Sequence, residues 1–361
     1  MDRLVPSYIE RLVAYVPGKP VEELERELGI KNAVKLASNE NPYGPSPVVL
    51  DAISKLGPTL GRYPDAAAHA LRESLAAHHD LSMDEIVIGN GSNEIIDLAC
   101  RTFGAPGDHA VIGNPSFVCY RMGLLAANID FTEVPLRDNL AWDVDAMLAA
   151  VRPRTRLLFL ANPNNPTGAH LSGTELARLL RGLPEGTVAV IDEAYLEFAD
   201  APDFASALSM RTAHERLLVL RTFSKAYGLA ALRVGYGVGT RPIVDFLNRV
   251  RAPFNANSIG QVAARVALGD QEHVKRYVAM NRTERARVSA ALAAMGYKVA
   301  PSQANFVLVD FAAPGKDVYE KLLRNAVIVR PTPPPLGTSL RITIGLPEEN
   351  DRLLAAVRDL V

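Results

Sequence analysis

The chain has 361 residues, 48% of them hydrophobic and 22% charged, with a formal net charge of −1. That length suits two domains with cores that need no disulfide staples. The near-zero charge excludes the basic footprint of a nucleic-acid or anionic-membrane binder, and no apolar run approaches the ~20 residues of a membrane span.

Residues 1–35 read as an N-terminal arm with an amphipathic helix around "PVEELERELG". The opening "MDRLVPSYIE" has no apolar signal core. The segment "SNENPYGPSP" is rich in Pro, Gly and Asn and must be irregular. From Ala66 the pattern alternates. "AHALRESLAAHH" has helical spacing, "EIVIGN" is a short apolar strand, "SNEIIDLACRTF" is helical and "HAVIGNP" is a strand again. "VDAMLAAV" then leads into "RLLFLANP", "GTELARLLRGL" into "TVAVIDEA", and "LLVL" forms a further strand. This alternation predicts an α/β fold with a mostly parallel sheet covered by helices, and the continuous apolar strands fit burial on both faces. Beyond Asn248 a long polar helix, "HVKRYVAMNRTERARVSAALAAMGY", precedes the strands "NFVLVDF" and "SLRITIG". The expected organisation is an arm (1–35), a large domain (36–247) and a smaller α+β C-terminal domain (248–361). Cys100 and Cys119 stand in apolar surroundings as reduced core residues, so the expected location is the cytoplasm.

In such sheets ligands bind beyond the carboxyl ends of the strands. After "EIVIG" come Gly91, Ser92 and Asn93, which open a helix and suit a phosphate; the plain alternative is an N-cap made by Ser92. The full G-x-G-x-x-G fingerprint is missing, which argues against a dinucleotide. After "HAVIGNP" come Phe117 and Tyr120, either core residues or a platform for a flat ligand. After "RLLFL" the turn "ANPNNPTG" holds asparagine amides stiffly between prolines. After "TVAVI" comes Asp192, which at the end of a buried strand needs a partner. It either caps the following segment or serves a ligand. After "LLVL" comes Lys225 among small residues, with Arg233 eight positions on. A desolvated lysine there has a lowered pKa and becomes nucleophilic toward carbonyls, and an arginine grips phosphate. A flat cofactor with an aldehyde and a phosphate accounts for all of these positions at once: pyridoxal 5'-phosphate, which takes a lysine at its aldehyde and a carboxylate at its ring nitrogen.

"AYVPGKP", "SNENPYGPSP", "RYPD", "GNGSNE", "NPNNPTG", "DEAYLEF", "RTFSKAYGLAALR" and "LRITIGLPEEN" occur in this order over nearly the whole chain. In them the sequence resembles the fold-type-I pyridoxal-phosphate-dependent aminotransferases, and within these the histidinol-phosphate aminotransferases. The resemblance implies transamination of L-histidinol phosphate with 2-oxoglutarate. It implies that Lys225 joins the cofactor aldehyde and later moves the substrate Cα proton, that Asp192 pairs with the ring nitrogen, and that Asn165 and Tyr195 meet the ring hydroxyl. Phe117 would stack on the ring. Gly91, Ser92, Asn93, Thr222, Ser224 and Arg233 would form the phosphate cup. Tyr63 would reach the cofactor phosphate of a neighbouring subunit, making the active unit a homodimer. Arg341 would clamp the substrate carboxylate, with Tyr15 and Arg330 at the far end of the pocket. No metal site, nucleic acid or membrane is expected.

Two positions depart from the family pattern. Ala231 stands where "GLR" is usual, which matters if that position needs positive φ. Phe254 stands where relatives often carry tyrosine near the substrate side chain, which favours an aromatic amino acid donor as an alternative. A decarboxylase of a phosphorylated amino acid is a further alternative on the same fold. A nucleotide-binding oxidoreductase and a non-enzymatic regulator are readings from other classes. Against them stand Lys225, the incomplete glycine fingerprint and an arm too short to be a DNA-binding module.

Overall fold

The structure is a computed structural model that describes residues 4–15 and 18–360. The strands run in chain order as β1 (Val34–Lys35), β2 (Ile86–Gly89), β3 (His109–Asn114), β4 (Asp130–Pro135), β5 (Thr155–Ala161), β6 (Val188–Asp192), β7 (Leu217–Thr222), β8 (Gly235–Gly239), β9 (Lys298–Val299), β10 (Phe306–Asp310), β11 (Val327–Ile328), β12 (Arg330–Pro331) and β13 (Ser339–Thr343). Seven of them form one sheet in the order β2-β8-β7-β6-β5-β3-β4. Only β8 runs against the others.

The period-two geometry of a strand explains the continuous apolar runs. Leu157 and Phe159 of β5, with Val188 and Val190 of β6, face helices 92–103, 118–126 and 241–250. Their neighbours Leu158, Leu160, Ala189 and Ile191 face helices 144–149 and 173–182 on the other side. Strand β8, "GYGVG", carries no apolar run that would mark it as a strand. Its glycines answer to close packing: a Cβ on Gly235 would lie 2.3 Å from the Ser92 amide nitrogen.

A second, antiparallel sheet of order β12-β13-β10-β9 is backed by helices 271–294, 315–324 and 347–358. The N-terminal segment joins this smaller body. Strand β1 pairs in parallel with β11, and Val34 and Leu36 sit in the same core cluster as Val327 and Ile342. The expected boundary at 247/248 falls inside helix Arg241–Val250, whose Ile243, Val244 and Leu247 belong to the core of the large sheet. Helix Ser258–Gly269 also stays with the large body, its Ala263, Ala264 and Ala267 packed with Leu71 and Leu75. Small apolar side chains allow that close approach, and their small size is why the stretch did not stand out in the sequence.

Candidate active site

The carboxyl ends of β2, β3, β5, β6 and β7 share one rim, and their following loops line a cavity of about 210 Å3. From these loops come Ser92, Asn93, Phe117, Asn165, Asp192, Tyr195, Thr222, Ser224, Lys225 and Arg233. The opposite wall is Tyr15, Ala37–Asn39, Arg330 and Arg341. The cavity therefore lies where the two bodies meet. Of the residues the resemblance assigns to the site, Gly91 and Tyr63 are not among its lining. Gly91 lies just behind it, and Tyr63 is 81% exposed with its ring stacked on Phe254 at 4.6 Å.

Lys225 leaves the end of β7 and donates to the Ser38 carbonyl at 3.2 Å. Burial, then the positive charges of Arg341 and Arg233, lower its amine to about 8. Asp192 is the last residue of β6 and is buried. Its Oδ2 accepts from the Tyr120 hydroxyl at 2.8 Å and its Oδ1 from the Ala194 amide at 3.1 Å. Burial raises the carboxyl to about 6, against the pull of those two hydrogen bonds. Asp192 thus does cap the segment after it, and it lines the cavity as well. Tyr120 is buried and is not part of the cavity wall, while Phe117 is.

At the other end of the cavity, helix 92–103 begins. Gly91 is its N-cap, at φ 77°, with no side-chain cap, and Glu94 instead accepts from the Asn90 amide at 2.6 Å. The alternative of an N-cap made by Ser92 is therefore corrected: Ser92 is the first helical residue, and it lines the cavity. The start of this helix shares that wall with Thr222, Ser224 and Arg233, a donor set suited to an anion. Arg233 Nη1 lies 3.4 Å from Ser224 Oγ. The positive φ that the "ALR" stretch requires falls on Arg233, at 53°, and not on Ala231, so the missing glycine leaves the backbone unstrained.

Arg341 of β13 donates through Nη1 to Asn165 Oδ1 at 2.7 Å and through Nη2 to the Ala37 carbonyl, while its buried Nε has no hydrogen-bond partner among the described residues. Arg330 of β12 is its cross-strand partner in register, and its guanidinium lies 5.5 Å over the Tyr15 ring. The two arginines face each other across one rung of the ladder. They do not stand at opposite ends of the pocket, as the resemblance implied.

Phe254 is another correction. It is 42% exposed, paired with Tyr63, and does not line the cavity of its own chain. Sequence reasoning gave no role to Asn39, which sits in the quoted "SNENPYGPSP". Its Nδ2 donates to the Tyr195 hydroxyl at 2.9 Å, and its Oδ1 accepts from Thr343 Oγ1 at 3.0 Å. It ties the cavity floor to the smaller body, a role marked by no motif because its partners are remote in sequence.

A family model described as aminotransferase class I and II matches residues 31–357. A histidinol-phosphate aminotransferase of Anaeromyxobacter sp. (strain Fw109-5) is 45% identical over 98% of both chains. One of Geobacillus thermodenitrificans is 41% identical over 99% of this chain and 98% of its own. Among solved structures, histidinol-phosphate aminotransferase from Sinorhizobium meliloti in complex with pyridoxal-5'-phosphate superposes with a TM-score of 0.90, 29% identity, and coverage of 100% of this chain and 99% of that one. The chain belongs to the aminotransferase class I and II family.

Proposed function

We propose that this aminotransferase moves the amino group of L-histidinol phosphate to 2-oxoglutarate, yielding imidazole acetol phosphate and L-glutamate, as a step of histidine biosynthesis with pyridoxal 5'-phosphate as cofactor. The residues present fit that cofactor. Lys225 would take the aldehyde, Asp192 the ring nitrogen, Asn165 and Tyr195 the ring hydroxyl, and Phe117 one ring face. Ser92, Asn93, Thr222, Ser224 and Arg233 would hold the phosphate. Gly91 leaves room for the cup, since a Cβ there would lie 2.6 Å from Arg233 Nη2. When bound, the cofactor supplies an electron sink that acidifies the hydrogen on the amino-bearing carbon.

The chain's own groups do the rest. Lys225 Nζ, with its lowered pKa, would take that proton as base and then give a proton, as acid, to the cofactor carbon that carried the aldehyde. Arg341 fixes the substrate, and so fixes which bond at Cα is broken. For glutamate its ligand would be the α-carboxylate.

The observation that carries the donor's identity is the pair Arg330 and Arg341. The two guanidinium groups of one rung bring two positive charges to the cavity wall, and a phosphate dianion beside them, with the Tyr15 hydroxyl near, matches that charge. The names of the relatives support the same substrate. Tyr63 supports a homodimer: an aromatic pair this exposed on a rigid loop suits contact with a second copy. The cytoplasm is the compartment we assign. Among the described residues no helix is long and apolar enough to cross a membrane. A panel of amino donors with 2-oxoglutarate tests the reading. Histidinol phosphate should give the highest kcat/KM, and a preference for phenylalanine would replace the reading with an aromatic aminotransferase.

A further inference from the structure

Among the described residues Asp192 is the one carboxylate of the cavity wall, and both its hydrogen bonds come from neutral donors. Both oxygens therefore act as acceptors. Protonation at Oδ1 would put a hydrogen against the Ala194 N–H, and protonation at Oδ2 would force the Tyr120 hydroxyl to reverse from donor to acceptor, so this arrangement favours the anion. The Ala194 amide is part of the turn after β6 and is fixed by the backbone. The other donor is a side chain, and its position is fixed by packing. Tyr120 has 0% exposure. Its ring stacks on Phe159 at 5.1 Å and 16°, and meets Phe117 edge-on at 5.6 Å and 85°. Two aromatic neighbours leave the phenol no alternative orientation. Burial and the nearby Asp192 keep the Tyr120 phenol protonated well above its ordinary range, so it remains a donor at any working pH. Glu193 and Lys225 are the charged groups nearest Asp192, and their influences oppose each other.

We propose that Tyr120 is a positioning residue of this site: without touching the ligand, its hydroxyl holds the Asp192 carboxylate ionised and aimed at the ring nitrogen of the cofactor. The proposal rests on the reading of Asp192 as the partner of that nitrogen. It also gives the Phe117–Tyr120 pair a joint purpose. Phe117 lines the cavity, while Tyr120, one helical turn on, reaches behind it to the carboxylate.

The test compares two ligands on the apoprotein, pyridoxal 5'-phosphate and its analogue with a CH group in place of the ring nitrogen, by equilibrium binding. Wild type should prefer the natural cofactor. Tyr120→Phe keeps the ring packing and should shrink that preference about tenfold, the equivalent of one pKa unit, while leaving affinity for the analogue within about twofold. In an Asp192→Asn background, where no buried carboxylate is left without its donor, Tyr120→Phe should change the preference no further. An unchanged preference in Tyr120→Phe, or an equal loss for both ligands, overturns the role of Tyr120 while the reading of Asp192 stands. Absence of any preference in wild type overturns the reading of Asp192, and the proposal with it.

Discussion

Lys225 owes its chemistry to its surroundings. A lysine in water keeps its proton at neutral pH. Here burial and two arginines bring the amine to about 8, so about a tenth of it is neutral at pH 7. Only the neutral amine attacks an aldehyde. The rate at which apoprotein captures pyridoxal 5'-phosphate should therefore climb with pH from 6 and level off above about 8; stopped-flow absorbance would show this, and a flat profile would contradict it. Lys225→Ala should keep the phosphate cup and hold the cofactor without a covalent link. Turnover should drop by roughly 10²–10⁴-fold or more, the range of a lost general base. Borohydride reduction followed by mass spectrometry checks the assignment, and a label on another lysine would remove it. In the proposed function Arg330 would meet the donor's phosphate. Arg330→Ala should lower kcat/KM for histidinol phosphate about 10- to 150-fold, the value of one charge-assisted contact, and spare phenylalanine. Equal losses for both donors would separate Arg330 from the phosphate.

At the scale of elements, the site depends on loops held by close backbone approaches. Gly228, in the loop after β7, has φ +71°, and a Cβ there would lie 2.4 Å from the Gly44 carbonyl oxygen. The two loops that meet at this point carry Lys225 on one side and Asn41 and Asn39 on the other, and Asn41 Nδ2 donates to the Ala226 carbonyl at 3.1 Å. Gly228→Ala combines a strained backbone with a clash against main chain. It should cost at least about 1–3 kcal/mol and loosen cofactor binding. Gly269, with nothing within 4 Å of an added Cβ and no positive φ, is the control site. Its alanine variant should melt at the wild-type temperature or slightly above it. Thermal unfolding of both variants decides the matter, and a wild-type melting temperature for Gly228→Ala would show that the loops can part without cost.

For the molecule as a whole, the cavity is shared between two bodies. Lys225, Asp192, Ser224 and Arg233 belong to the large body, Arg330 and Arg341 to the small sheet, and the Asn165–Arg341 hydrogen bond crosses between them. A further level of sharing follows if Tyr63 serves a second subunit. Chains carrying Tyr63→Ala and chains carrying Lys225→Ala should each be impaired alone. Mixed and refolded together they should regain part of the activity, because one of the two sites in a heterodimer then has both residues intact. Heterodimers that form but stay inactive would assign Tyr63 to its own subunit.

The sequence by itself determined the large sheet and most of the cavity. Apolar runs for strands buried on both faces, and polar or small residues at their carboxyl ends, are local signals, and strand topology brings those ends to one rim. Lys225, Asp192, Phe117 and Arg233 could be named for that reason, and Asn165 through the family resemblance. What depended on contacts between remote segments could not be read locally. The union of β1 with β11, the retention of helix 258–269 on the large body, the adjacency of Arg330 and Arg341, and the binding of Asn39 to Tyr195 and Thr343 each join residues far apart in the chain. The same holds for Tyr120. Its sequence context offered packing or stacking, and only the close packing of its ring between Phe117 and Phe159 directs the hydroxyl to Asp192. Periodicity and turn chemistry act over a few residues, whereas the direction of a buried polar group is set by whatever surrounds it in three dimensions.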